Sequence, residues 1–217
     1  MKTNLNIQTL ILKTNNMKTT IFKSKGIHKQ LKFYGIAFLA FAILYSCNNE
    51  EATAVNEEEL ITTITAVFTP IGGGTAITLQ YKDLDGDGPN AAVITVSSPF
   101  TQSKTYNGAL TFKNEAVSPA VDITPEIIAE GIDHQIFYQK TGTLNAFNYS
   151  TAPSNLDTNG KPVGLQSVFV TTGAATGTLK ITLKHLPNKN AANVAAGDIT
   201  NAGGATDAEV SFSISVL

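Results

Sequence analysis

The chain has 217 residues, room for one ordinary domain beside a targeting segment. Seven of its fifteen lysines fall in the first 32 positions and no acid precedes Glu50, whereas from Cys47 onward eight lysines face seventeen acids, a net charge of −9. An acidic body with no arginine argues against nucleic-acid binding, which needs a cationic face, and a single cysteine excludes an intramolecular disulfide, leaving the fold to its apolar core.

The first element is the run from Phe33 to Tyr45, apolar throughout and preceded by lysines. It is shorter than the roughly 18 to 20 residues that a membrane-spanning helix needs. Basic, apolar and then small (Ser46) is the order of a signal peptide, predicted over 1–46, with Met17 an alternative start that leaves a basic region of more usual length. The run closes on Leu44-Tyr45-Ser46-Cys47, which resembles the lipobox of bacterial lipoproteins. That resemblance implies diacylglyceryl transfer to the Cys47 thiol, cleavage before it, and attachment of the mature protein to a membrane through its acyl chains. Tyr45 is bulkier than the residue usual at its position. Residues 47–58 are polar, acidic and without periodicity, as in a solvated tether. Acids just behind the cysteine are read either as an address to the outer face of the outer membrane or as a plain spacer.

From residue 59 to 217 the alternation has period two. Strands are expected at 60–69, 76–82, 92–97, 105–113, 134–139, 144–150, 166–172, 178–185 and 208–216. In the segment Thr178 to His185, Leu179, Ile181 and Leu183 share one face and Lys180, Thr182 and Lys184 the other. Glycine-rich turns such as Gly72-Gly73-Gly74 separate several of these runs. About nine short strands with half-apolar faces predict an all-β, immunoglobulin-like antiparallel β-sandwich, although the chain has neither a tryptophan nor a second cysteine for an immunoglobulin core. One short connecting helix is expected, with Thr124 as its cap, Pro125 in its first turn and Gly131 at its end.

Four segments carry a wider resemblance. They are Glu57-Glu58-Glu59-Leu60-Ile61-Thr62-Thr63, Asp83-Leu84-Asp85-Gly86-Asp87-Gly88, Asp133-His134-Gln135-Ile136-Phe137-Tyr138 and Gly197-Asp198-Ile199-Thr200-Asn201-Ala202-Gly203-Gly204. Together they are similar to a group of uncharacterised envelope lipoproteins of Bacteroidetes-type bacteria. The resemblance implies a β-sandwich body and an envelope location, and brings no activity with it.

Three places in the body are candidates for chemistry. Asp83, Asp85 and Asp87 alternate ahead of a glycine, a spacing that either gathers carboxylates on a Ca²⁺ ion or serves a tight polar hairpin. An EF-hand is excluded, because the position that needs glutamate is Ile94. The later Asp157-Thr158-Asn159-Gly160 reads as a turn. His134 and His185 stand at strand edges; with Asp207 or Asp133 they are read either as ordinary strand-end hydrogen bonding or as a metal or acid–base pair. The connection 186–206 is long for a sandwich, and is expected to be either functional, as a binding rim with 151–165, or poorly ordered. Phe100, Tyr106, Tyr138 and Tyr149 are assigned to the core or to strand pairing. No H-x-x-x-H, C-x-x-C or G-x-S-x-G occurs. The expectation is a non-enzymatic, lipid-anchored envelope module that binds a protein or glycan partner or serves as an accessory subunit. The alternatives are a hydrolase or metal-dependent enzyme with a loop-built site, and a purely structural, calcium-stabilised surface domain.

Overall fold

The computed structural model describes residues 60–86 and 88–217, and over them the period-two runs become two antiparallel sheets that share one core. The signal peptide, Cys47, the tether and Asp87 lie outside the described residues. The larger sheet has the order β3-β2-β1-β4-β8-β7, built from β1 (Thr63–Pro70), β2 (Ile77–Lys82), β3 (Val93–Val96), β4 (Thr105–Asn114), β7 (Phe147–Tyr149) and β8 (Gln166–Val170). A two-residue strand, β5 (Val121–Asp122), extends β4 beyond the reach of β8. The smaller sheet has the order β10-β9-β6, from β6 (His134–Lys140), β9 (Ala175–His185) and β10 (Ala205–Val216). Among the described residues no helix is long and apolar enough to cross a membrane.

The alternation decides which side chains meet. Ile64, Ala66 and Phe68 of β1 and Tyr106, Leu110 and Phe112 of β4 face Leu179, Ile181 and Leu183 of β9 and Val210, Phe212 and Ile214 of β10 across the core. At one end Phe100, from the β3–β4 connection, ties the sheets together. Its N–H donates to the Ser215 carbonyl at 2.8 Å and its carbonyl accepts from the Leu217 N–H at 2.8 Å. Its buried ring meets Phe68, Tyr106 and Phe169 edge-on at 5.3, 5.0 and 5.1 Å.

The expected helix is present as α1 (Thr124–Ala129), with proline in its first turn, but Thr124 does not cap it. The Thr124 hydroxyl instead accepts the Phe112 N–H of β4 at 2.9 Å. Beyond the end of β8 the edge of β4 needs partners; β5 supplies backbone there and Thr124 a side chain.

The connection 186–204 is ordered by the outer face of the smaller sheet. Phe137 points away from the main core, and Val194 and Ala202 cover it, with Ala191 and Ile199 beside them. The Gln135 amide adds a polar tie, donating to the Val194 carbonyl at 2.7 Å and to the Tyr149 hydroxyl at 3.0 Å. Tyr149 in turn donates to the Ile136 carbonyl at 2.6 Å. Burial pushes its phenol up to about 12, against the opposing pull of Gln135, so it stays a neutral donor at ordinary pH.

Candidate functional site

Three segments meet in an open cleft of about 530 Å³: Ile132–Asp133 behind α1, 157–161 between β7 and β8, and 186–190 behind β9. These last two are the loops expected to form a rim together. The join is made by Lys189, whose ammonium donates to the Asp157 carboxylate at 3.0 Å, to the Pro162 carbonyl at 3.1 Å and to the Gly131 carbonyl. Its three hydrogens therefore meet three acceptors, one from each neighbouring strip of chain and one charge. Both side chains are buried, at 6% exposure for Lys189 and 2% for Asp157.

Asp157 also does what its turn signal predicts. Its second oxygen accepts the Asn159 and Lys161 N–H groups at 2.9 and 2.8 Å. Burial pushes its carboxyl up, but the Lys161 N–H and the Lys189 ammonium outweigh that and hold it below the usual carboxylate range. Burial draws Lys189 below its ordinary value, although Asp157 opposes the change. The ion pair was not legible as such, since its members lie 32 residues apart.

Around this buried base the rim is chemically mixed. Asn159, Asn188 and Asn190 supply amides, and Asp133 and Lys161 supply one charge of each sign. Ile132 and Leu186 contribute exposed aliphatic surface, 50% and 62% accessible. Leu186 has φ of 51°, a left-handed backbone that a leucine seldom takes. Its N–H donates to the Asp133 carbonyl at 2.6 Å, which fixes the two rim segments to each other. Strain of this kind held at an exposed position is characteristic of binding sites. Such a rim can offer donors, acceptors and apolar contact to a ligand.

On the core side of the same strand ends stand the two histidines of the described residues. His134 opens β6 and pairs in register with His185, which closes β9. The rings stack at 5.0 Å with 9° between planes. Of the two carboxylates considered as partners, Asp207 is the one brought in, at 3.6 Å from His134 Nε2 and 4.0 Å from His185 Nδ1. A bulge in β10 between Thr206 and Ala208 makes this possible. Strict alternation would place Asp207 on the outer face with Glu209, which pairs there with Lys180 at 2.8 Å. Gly204 lets the chain approach closely enough: its φ is +66°, and a Cβ would collide with the His185 and Leu186 carbonyls.

The acidic loop between β2 and β3 places Asp83 and Asp85 in a turn. Asp83 accepts the Gly86 N–H at 2.9 Å and the Tyr81 hydroxyl at 3.2 Å. Asp85 accepts the Asn90 N–H at 3.1 Å and its amide at 2.8 Å, bonds that lower its carboxyl below the ordinary range. Among the described residues no group of three His, Cys, Asp or Glu side chains stands ready to hold a metal ion. The calcium expectation for Asp83, Asp85 and Asp87 has a direct test: Ca²⁺ should raise the melting midpoint over EGTA, and Asp83→Asn should abolish that rise. An unchanged midpoint in both proteins removes it.

No protein-family model, no curated protein and no solved structure matches this chain.

Proposed function

We propose that this protein is a lipid-anchored β-sandwich of the cell envelope, held at the outer membrane through Cys47, facing either the periplasm or the surface. Its role is to bind a protein or glycan partner without catalysis, at the cleft between 132–133, 157–161 and 186–190. The observation that carries this reading is the fastening of three separate segments by the buried Lys189–Asp157 pair beneath a rim of amides and exposed aliphatic side chains. A preorganised rim lowers the entropy lost on binding.

Two measurements test the proposal. Cys47→Ser should release or block the precursor and remove the protein from the membrane fraction; a Cys47→Ser chain that matures and fractionates as before overturns the anchor. For the cleft, in-cell crosslinking should yield a defined adduct with the natural chain that is lost when Leu186→Glu and Asn188→Ala are combined. Thr95→Lys, on the remote β3 edge, should leave the adduct in place. An adduct indifferent to the cleft changes moves the binding surface elsewhere.

A further inference from the structure

The outermost strand of a sheet leaves backbone groups unpaired, and folded proteins protect such edges with charge, proline, bulges, shortness or cover. Among the described residues, three of the four edges of the two sheets are protected in this way. β10 is bulged between Thr206 and Ala208, carries Glu209, and is bridged at its end by the Phe100 backbone. β6 meets the Val163 segment, whose carbonyl accepts the Ile136 N–H at 2.8 Å. β7 is only three residues long. β3 has none of these devices. Its sequence, Val-Ile-Thr-Val, has no charge and no proline, and it runs in unbroken register with β2. Val93 is 60% exposed and Ile94 49%, and the exposed Leu84 lines the same shallow hollow as Val93.

The register fixes which groups are free. The Ser97 N–H donates to the Thr78 carbonyl at 2.9 Å, so by alternation Thr95 and Val93 also turn their backbone groups to β2. The N–H and C=O groups of Ile94 and Val96 therefore point outward, one residue to either side of Thr95. Such an edge is complementary to itself. When two β3 strands lie antiparallel about a two-fold axis at Thr95, Ile94 of each copy exchanges both backbone bonds with Val96 of the other. Thr95 then faces Thr95, a cross-strand pair that sheets favour.

Charge selects this occupant and its direction. From Cys47 onward the chain carries a net charge of −9, so two copies approach best through a surface free of acids, and β3 is one. Asp83 and Asp85 lie before it, and the neutral Ser97-Ser98-Pro99 after it. Antiparallel pairing sets each acidic turn against the neutral end of the other copy, whereas parallel pairing would set the two acidic turns together. We propose that β3 is a self-association edge, through which two copies join their larger sheets antiparallel with Thr95 at the centre. The two-fold uses both edges, so the assembly stops at two. This inference does not rest on the cleft's being a binding surface.

A four-residue strand buries much less than the about 1,200–2,000 Å² of a stable complex, so the dimer is reversible and is best read by trapping. The test uses the full chain in cell envelopes under a mild oxidant. Facing residues of a non-hydrogen-bonded antiparallel pair have Cα atoms about 4.5 Å apart, within the disulfide range of about 4.4–6.8 Å. Thr95→Cys should therefore form a disulfide-linked dimer, joined at position 95 of both copies, that the natural chain does not form. Val93→Cys should not form it, because its counterpart lies roughly 13 Å away along the strands. Ile94→Pro removes an outward N–H while leaving the bonds to β2, and should abolish the Thr95→Cys dimer. The contrast between Thr95→Cys and Val93→Cys keeps the test decisive if the proline variant fails to fold. No dimer from Thr95→Cys, equal dimer from both cysteine variants, or a dimer that a folded Ile94→Pro variant retains overturns the proposal. A Thr95→Cys adduct with a different protein overturns it too, and gives the edge to a foreign strand.

Discussion

Lys189→Ala is expected to destabilise the fold by about 3–5 kcal/mol, because it leaves the Asp157 carboxylate buried without its counter-charge. For a domain whose whole stability is about 5–15 kcal/mol, that is a large share. Three acceptors lose their donor at once: Asp157, Pro162 and Gly131. Removing both charges should cost less. A Lys189→Met, Asp157→Asn double variant keeps the volume and lets the Asn159 and Lys161 N–H groups bond to the amide oxygen. Denaturant midpoints of the single and double variants measure the difference, and a double variant as unstable as Lys189→Ala would show that the pair's charges are not the cause.

The same pair predicts a pH dependence with a definite sign. Asp157 has a carboxyl held below its ordinary value in the fold, so its contribution is fully present above the unfolded value of about 3.9. That contribution is lost as the pH falls through the lower folded value, and Asp157→Asn should flatten the acid limb of the stability curve. Titration of the denaturant midpoint from neutral pH downward reads this directly. An acid limb of unchanged slope in the variant would place the acid sensitivity in other carboxylates.

How far the molecule could be read from its residues depends on the range of the interaction. Strand alternation is local, and the runs expected at 178–185 and 208–216 are the cores of β9 (Ala175–His185) and β10 (Ala205–Val216). The two-residue β5 carries no period and could not be seen. The expected strand 144–150 shrank to Phe147–Tyr149, because the buried Leu144 fills the core from a loop. The turn at Asp157 was readable from Asp-Thr-Asn-Gly, whereas Lys189, the partner of its other oxygen, Oδ2, lies on a distant loop. For the histidines, alternation puts each on the face of its strand that turns to the core and Asp207 was among the partners considered, but the pairing of β6 with β9 that sets them side by side is tertiary. The bulge that selects it over Asp133 left no mark in composition or spacing. The order of 186–204 depends on Phe137, whose place in an alternating run is the outer, nominally solvent face. Only the tertiary structure shows that this face is covered.

Phe100→Ala should have an effect as large as the loss of Lys189, about 3–5 kcal/mol, for a purely apolar reason. The side chain is 1% exposed and sits where three aromatic rings converge, at 5.0 to 5.3 Å between centroids. Phe169 is itself stacked on Phe147 at 4.0 Å, and Phe68 also meets Phe147 at 5.7 Å. A cavity at Phe100 therefore touches a ring system that cannot collapse without moving β1, β4 and β8 together, so little of the lost contact is recovered by relaxation. The backbone bridge to β10 does not require the ring, since it is made by the Phe100 N–H and carbonyl. Phe100→Leu should accordingly cost less, about 1–2 kcal/mol, by refilling part of the cavity and keeping that bridge. Equilibrium denaturation of the two variants orders the costs, and hydrogen exchange at Leu217 N–H separates the two roles. Faster exchange in Phe100→Ala than in Phe100→Leu, beyond their difference in global stability, would mean that the ring also holds the end of β10 in place. Equal exchange after that correction assigns the ring to the core alone and the joining of the sheets to the backbone.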